Sequence, residues 1–285
     1  MRDVARDRER LGRALAALLG STAKGVEPRR LGGGLGHVSY LVTLPEQSYV
    51  LRLKTDSAGA TLGLEEEFAL LGVVAAAGIT PEPVRMDVGT DAMLIRFAPR
   101  AAALTEAAAR ERANIERIAK LLRRLHSVPA ALRIFEPLRH AEAYFAAAAR
   151  RAPLTPRERR LAEELRTRAA DYVKRYPPSA ACHNDLVAAN VLDAGDLMLI
   201  DFEYAACAAP ILDLASLAAM NDFTDDDQRE LLRAYYSSSE APVSPAELAD
   251  VVRMVRLMAF FWTRALPEEL RAQNARYLSL LESAV

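Results

Sequence analysis

The chain has 285 residues and little of what staples or anchors a structure. Its two cysteines, Cys182 and Cys207, are too few for a disulfide framework and fit a reducing cytoplasm. Basic and acidic residues nearly cancel, 37 against 38, for a formal net charge of -1. That balance excludes a global attraction to nucleic acid or to an anionic membrane. There is no charge-free run of about eighteen apolar residues, so no membrane span is expected. The start, Met1-Arg2-Asp3-Val4-Ala5-Arg6-Asp7, is too charged for a secretory signal. No internal repeat or low-complexity linker is present, only alanine-rich stretches. What the chain does have is 51% hydrophobic and 26% charged residues, enough for a sizeable core in one large domain or two lobes.

Hydrophobic periodicity divides the sequence near residue 97. Before it, Asp7–Leu19 reads as an amphipathic helix with Leu11, Leu15 and Leu18 on one side. Leu31–Thr43 and Ser48–Lys54 are strand-like, joined by a turn at Pro45-Glu46-Gln47. Leu64–Ala77 reads as a helix stopped by Gly78, and Val84–Val88 and Met93–Phe97 as two further strands. This is a small α+β region, residues 1–97. From residue 98 to 285 the pattern is mainly helical. Ile115, Ile118, Leu122 and Leu125 share a face, and Leu161, Leu165, Ala169 and Tyr172 form another stripe. Thr155-Pro156-Arg157-Glu158 and Ser244-Pro245-Ala246-Glu247 both carry a capping residue, a proline and a returning glutamate, the start signal of a helix. Leu248, Val251, Val255, Met258 and Trp262 continue the second. A short hairpin, Val191-Leu192 and Leu197–Ile200 around Asp193-Ala194-Gly195-Asp196, interrupts the helices.

The polar residues that flank this hairpin are out of place. Cys182-His183-Asn184-Asp185-Leu186-Val187-Ala188-Ala189-Asn190 and Leu199-Ile200-Asp201-Phe202-Glu203-Tyr204 set charges into apolar surroundings, where they persist only when paired or bound to metal. H-x-D-x-x-x-x-N followed by an apolar run and I-D is the residue set of phosphoryl transfer. Asp185 can accept the proton of an acceptor hydroxyl. Asn190 offers an uncharged oxygen to a hard cation such as Mg²⁺, and Asp201 a charged one. Cys182 beside His183 invites a nucleophile reading, but a small buried core residue is the commoner role of a free cysteine.

At these residues the chain resembles the choline/ethanolamine kinase branch of the aminoglycoside phosphotransferase-like kinases, a protein-kinase-like family. That branch has H-N-D, often after cysteine, and I-D-F-E-Y or I-D-W-E-Y on the metal strand; Pro210 and Asp213-Leu214 match its P-x-x-D-[LI] segment. The likeness runs, more weakly, over residues 27–265. It implies a bilobal fold, with a small antiparallel-sheet lobe that binds nucleotide through one key helix and a larger helical lobe for catalysis and substrate. It also implies ATP, Mg²⁺ and a small hydroxylated substrate. Carried over, Asp185 is the base, Asn190 and Asp201 hold metal, Glu203 is a second carboxylate near it, His183 braces the loop, and Asp213 bonds to the loop. Taken alone, Asp213 reads equally as a first-turn carboxylate of a helix.

Gly32-Gly33-Gly34-Leu35-Gly36-His37 lies between strand-like flanks, where glycines let backbone N–H groups approach phosphates. The resemblance assigns Gly33 and Gly34 to the nucleotide, with Gly36-His37 replacing the family's asparagine region. Val50, Arg52 and Lys54 share a strand face, so two cations compete for the phosphates; the resemblance favours Arg52. Glu65, Glu66 and Glu67 compete as its carboxylate partner, and the spacing to Gly78-Ile79-Thr80-Pro81, similar to the family's G-[IV]-x-x-P, selects Glu67. The other two suit a solvated first turn.

For the acceptor, Tyr204 and Trp262, in Phe260-Phe261-Trp262, match aromatics of a choline pocket, although Trp262 also fits plain core packing. Ala265 stands where a second tryptophan is often found, so ethanolamine, thiamine or another amino alcohol is also compatible. Asp222, Asp225, Asp226 and Asp227 could attract a cation, but Thr224 to Asp227 reads better as a helix cap and first turn. The expectation is a cytoplasmic ATP-dependent kinase of a small cationic alcohol. Aminoglycoside, thiamine or sugar kinases are rivals, as is a catalytically silent nucleotide-binding module.

Overall fold

The structure, a computed structural model, describes residues 4–32, 36–55, 61–237, 242–266, 268 and 274–282. In chain order the elements are α1 (Val4–Leu19), β1 (Arg29–Gly32), β2 (His37–Thr43), β3 (Ser48–Lys54), α2 (Leu64–Ala76), β4 (Pro83–Asp87), β5 (Ala92–Arg96) and β6 (Ala102–Ala103). Then come α3 (Glu106–Ala109), α4 (Arg112–His126), α5 (Pro137–Arg151), α6 (Pro156–Arg175), β7 (Ala180–Cys182), β8 (Val191–Asp193), β9 (Leu197–Leu199) and β10 (Ala206–Ala208). The chain ends in α7 (Ile211–Met220), α8 (Asp225–Tyr236), α9 (Pro245–Ala265) and α10 (Asn274–Glu282). Two compact units result: Met1–Ala103 with Val191–Ala205, and Leu104–Asn190 with Ala206–Val285. The hairpin of β8 and β9 thus lies with the first unit, although its sequence sits among helices.

The first unit is built on an antiparallel sheet of order β1-β2-β3-β5-β4. Leu31–Thr43, which reads as one strand, is two antiparallel strands, with Arg29 opposite Leu41 and Arg30 opposite Tyr40. Alternation along β3 sends its residues to opposite faces. Leu51 and Leu53 join Leu15 and Leu18 of α1, Val42 and Leu94 in a buried cluster. Arg52 belongs to the opposite face, and α2 packs on β4 and β5. Gly78, at φ 66, ends α2 in the left-handed conformation that glycine adopts without strain. The β8–β9 hairpin is tied to this unit by Leu199 N–H donating to the Ile79 carbonyl at 2.7 Å, and by β6 pairing with β8.

In the second unit α9 packs against α5, α6, α7, α8 and α10. So many neighbours widen its buried face beyond a single stripe: Met254, Leu257, Phe260 and Phe261 are buried, while Val255, Met258 and Trp262 are only half-buried. Plain core packing therefore does not describe Trp262. Phe261 stacks edge-on against Phe145 of α5 at 4.6 Å and against Phe260 at 5.0 Å. α7 is buried on all sides, as its apolar sequence requires. The helix starts read from sequence are present: Thr155, Thr224 and Ser244 each accept the backbone N–H three residues on, from Glu158, Asp227 and Glu247. No helix of the described residues is long and apolar enough to cross a membrane.

Phe261 has no solvent exposure. Phe261→Ala is expected to cost about 3–5 kcal/mol of stability, read from urea unfolding followed by far-UV circular dichroism; a loss below about 1 kcal/mol would contradict this packing.

Candidate active site

In the second unit, β7 pairs with β10 and delivers the chain at Cys182 to a loop with almost no freedom. Asp213, in the first turn of α7, is fully buried and accepts the His183 N–H on Oδ2 and the Asn184 N–H on Oδ1, both at 2.8 Å. His126 meets Asp213 Oδ2 through Nε2 at 3.0 Å, and its Nδ1 meets the Tyr235 hydroxyl at 2.7 Å. A carboxylate only accepts, so the Nε2 of His126 carries a proton. Further along α7, the Ser216 hydroxyl accepts the Leu186 N–H at 3.1 Å. Asn221 then takes the Ala188 N–H at 2.7 Å and donates to the Leu186 carbonyl at 2.8 Å. The helix and its C-cap thereby satisfy five backbone groups of the loop: the N–H of His183, Asn184, Leu186 and Ala188, and the Leu186 carbonyl. Asn184 is at φ 64, a left-handed conformation that asparagine tolerates better than most residues.

The clamp fixes Asp185. Its backbone N–H meets His183 Nδ1 at 3.3 Å, and its Oδ2 accepts from Asn190 Nδ2 at 3.1 Å. With that amide nitrogen directed at Asp185, the carbonyl oxygen of Asn190 is the atom that could face a cation. Tyr144 of α5 and Tyr277 of α10 lie within electrostatic reach of Asp185. Burial, reinforced by Asp185, pushes the Tyr144 hydroxyl up to about 12. Tyr277 is also raised to about 12, mainly by burial. The Cys182 thiol is buried and held well above its ordinary value by burial and Asp213, so it is a neutral core residue and not a nucleophile.

The first unit assembles a second charged cluster. Arg52 donates from Nη1 to Glu67 Oε1 at 2.7 Å and from Nη2 to Asp201 Oδ1 at 2.7 Å; Nη2 also reaches His37 Nδ1 at 3.1 Å. Glu67 is 1% exposed, whereas Glu65 and Glu66 are solvated, and Glu66 accepts the Gly63 N–H at 2.9 Å. Lys54 is 3.9 Å from Glu67 and donates to the Leu62 carbonyl, so Arg52 is the cation that engages Glu67 directly. Burial opposes the charge on Arg52, but Glu67, Asp201 and Glu203 together hold its pKa above the ordinary value. Glu203 is pushed up to about 7, by burial first and by Asp201 next. Its Oε2 is buried with no hydrogen-bond partner among the described residues. His37 is lowered to about 4, by burial and then by Arg52. Asp201 sits at φ 69, in the left-handed region that aspartate visits more readily than most residues.

The sequence matches the phosphotransferase enzyme family over residues 27–250. The chain belongs to that family. Its fold is shared with solved structures of low identity. Choline kinase LicA from Streptococcus pneumoniae is 20% identical at a TM-score of 0.77, covering 98% of this chain and 99% of its own. A choline/ethanolamine kinase family protein from Mesorhizobium loti is 22% identical at 0.77, covering 98% and 94%. An ethanolamine kinase from Plasmodium vivax is 14% identical at 0.74, covering 95% and 87%. No curated protein matches the chain by sequence. The fold class expected from the sequence, α+β and protein-kinase-like, is that of these structures, and the family makes the chain a phosphotransferase.

The structure brings Asp185 and Asn190 together in one unit, and Arg52, Glu67, Asp201 and Glu203 in the other. Tyr204 is half-buried in the first unit and Trp262 half-buried in the second. Gly33 and Gly34 lie outside the described residues. Thr224 to Asp227 is the cap and first turn of α8, and Asp222 is paired with Arg276 at 2.7 Å. The sequence reading missed His126, Ser216, Asn221, Tyr144 and Tyr277, and it noted His37 only as a substitution. Ser216 and Asn221 carried a usable signal, since both follow Asp213 in or just after an otherwise apolar helix.

Burial works to raise the pKa of Asp213, but the hydrogen bond and charge of His126, with the backbone of His183, hold it below the ordinary 3.8. A depressed folded pKa contributes stability that is present above the unfolded value and lost as pH falls through the folded one. Asp213→Asn is therefore expected to destabilise the protein at pH 7 by roughly 1.5–3 kcal/mol, the worth of a hydrogen bond to a charged group. The gap to the parent should shrink below pH 3.8. Thermal melts at pH 7 and pH 3 measure both; an equal gap at the two pH values would refute the ionised role.

Proposed function

We propose that this phosphotransferase moves the γ-phosphoryl group of ATP to the hydroxyl of a small cationic alcohol, of the choline or ethanolamine class, in a reducing cytoplasm. The observation that carries the reading is the setting of Asp185: its carboxylate meets the Asn190 amide, on a loop bound along its length to a buried helix. A carboxylate so fixed is suited to orient a hydroxyl and take its proton, which contributes about 10²–10⁴-fold to a rate. The acceptor oxygen then bonds to the γ-phosphorus while the bond from phosphorus to the bridging oxygen breaks, ADP leaves, and the proton resides on Asp185.

Arg52 is the cation for the phosphates in this reading, with Glu67 holding its other arm. Gly33 and Gly34 supply backbone N–H groups to the same phosphates. The cation ligands read from the sequence, Asn190, Asp201 and Glu203, offer only oxygens, which suits Mg²⁺. The unpartnered buried Oε2 of Glu203 supports a cation near it. When bound, such an ion would neutralise charge on the phosphates. Tyr144, partly exposed and within electrostatic reach of Asp185, supports an acceptor with an ammonium group, since an aromatic ring beside a carboxylate attracts such cations. Tyr204 and Trp262 remain the aromatics assigned to the acceptor by resemblance. Both cysteines are unpaired thiols, which supports a reducing compartment.

An ADP-release panel of choline, ethanolamine, thiamine, aminoglycosides and sugars should give its highest kcat/KM with choline or ethanolamine. An aminoglycoside preference would replace that acceptor class, and nucleotide binding without turnover on any member would point to a silent nucleotide-binding module. Asp185→Ala should lower kcat by at least about a hundredfold with nucleotide affinity retained; unchanged turnover would remove Asp185 from the role.

A further inference from the structure

We propose that His37, Asp201 and Glu203 form a cation site selective for manganese-class ions (Mn²⁺, Co²⁺, Zn²⁺), and that the Arg52 guanidinium fills it in the metal-free protein. The inference rests on reading Asp201 as a metal-facing carboxylate, and it adds an imidazole to that ligand set. One ligand atom from each of the three side chains lies within 4.8 Å of the others, and His37 Nδ1 is 3.7 Å from Asp201 Oδ1. Neighbouring ligand atoms about 2.1 Å from one ion stand about 3.0–3.6 Å apart, so closure by about 1–1.5 Å at most, the scale of a side-chain rotation, completes the set.

Three features make this more than a cluster of acids. Glu203 is 5% exposed and its Oε2 has no hydrogen-bond partner among the described residues, an arrangement that costs free energy until something positive faces it. Its carboxylate lies against the backbone of Gly36, where even a Cβ would collide with it, so the loop walls that side of the carboxylate. Finally, a cation already bridges the other two ligands: Arg52 Nη2 reaches His37 Nδ1 at 3.1 Å and Asp201 Oδ1 at 2.7 Å. A guanidinium only donates, so Nδ1 is the accepting nitrogen, with its lone pair turned towards that cation.

A metal ion taking the same lone pairs displaces Nη2, while Nη1 stays on Glu67. The exchange would free one arm of Arg52 as the metal enters. With His37 as a ligand, the two carboxylates suit Mn²⁺, Co²⁺ and Zn²⁺ better than Mg²⁺, which would use the same carboxylates without the imidazole, in the all-oxygen set proposed above.

The test uses the full chain without nucleotide. Pulsed electron paramagnetic resonance of bound Mn²⁺ should show nitrogen modulation from one imidazole, and Asp201→Asn should abolish it. By calorimetry, His37→Asn should remove the modulation and weaken Mn²⁺ by about 10- to 100-fold, since loss of a direct ligand should cost at least what loss of an outer-shell partner does. Mg²⁺ affinity should change far less. If His37→Asn fails to melt cooperatively, His37→Gln and the parent spectrum decide. Bound Mn²⁺ without nitrogen modulation, modulation that survives in Asp201→Asn, or equal Mn²⁺ affinity in parent and His37→Asn would overturn the site. Mg²⁺-supported turnover in the panel together with absent modulation would refute this inference alone. Nitrogen-coupled Mn²⁺ without turnover on any acceptor would uphold the site and count against the proposed reaction.

Discussion

Everything in the second unit that resembles chemistry hangs on one buried carboxylate. Asp213 has no access to water, so its charge persists only because His126 and two backbone N–H groups replace the lost hydration. The same need for partners makes it an anchor. A loop that supplies those N–H groups cannot move without stranding a charge in the core. Ser216 and Asn221 extend the hold to Leu186 and Ala188, and Asp185 lies between these tethers. A side chain on such a loop is pre-positioned, and positioning is most of what phosphoryl transfer asks of a protein.

The first unit solves a similar problem with the opposite sign. Arg52 is buried and must be met by carboxylates, and it is met on both arms. Glu67 on α2 and Asp201 beyond β9 come from segments far apart in sequence, so the ion pair also staples the β8–β9 hairpin to the sheet. Desolvated pairs of this kind add little net stability, but breaking one leaves an uncompensated charge. The arrangement therefore enforces geometry more than it adds strength.

The elements legible in the sequence were those with a local cause. β3 declared itself by alternation, the start of α6 by Thr155-Pro156 and Glu158, and the end of α2 by Gly78. Glu67 could be chosen from three glutamates only through the resemblance of Gly78-Ile79-Thr80-Pro81 to a family segment that fixes the count. What escaped notice has causes spread across the chain. β6, β7 and β10 are two or three residues long, too short for alternation to register. The contact between Arg52 and Asp201 spans 149 residues. Tyr144 and Tyr277 sit on helices whose sequences give no hint that Asp185 is near. Val255, Met258 and Trp262 fall short of full burial because a stripe drawn for one packing partner does not describe α9, which meets five other helices.

The close approach of Gly36 to Glu203 also links two positions that are distant in the chain. Any side chain at residue 36 would need the volume now filled by the carboxylate at residue 203, and shortening residue 203 would leave a void beside the loop. A chain that gained a side chain at residue 36 would have to swing or shorten the Glu203 side chain, and so move a buried carboxylate. A change at residue 36 is therefore felt first at residue 203.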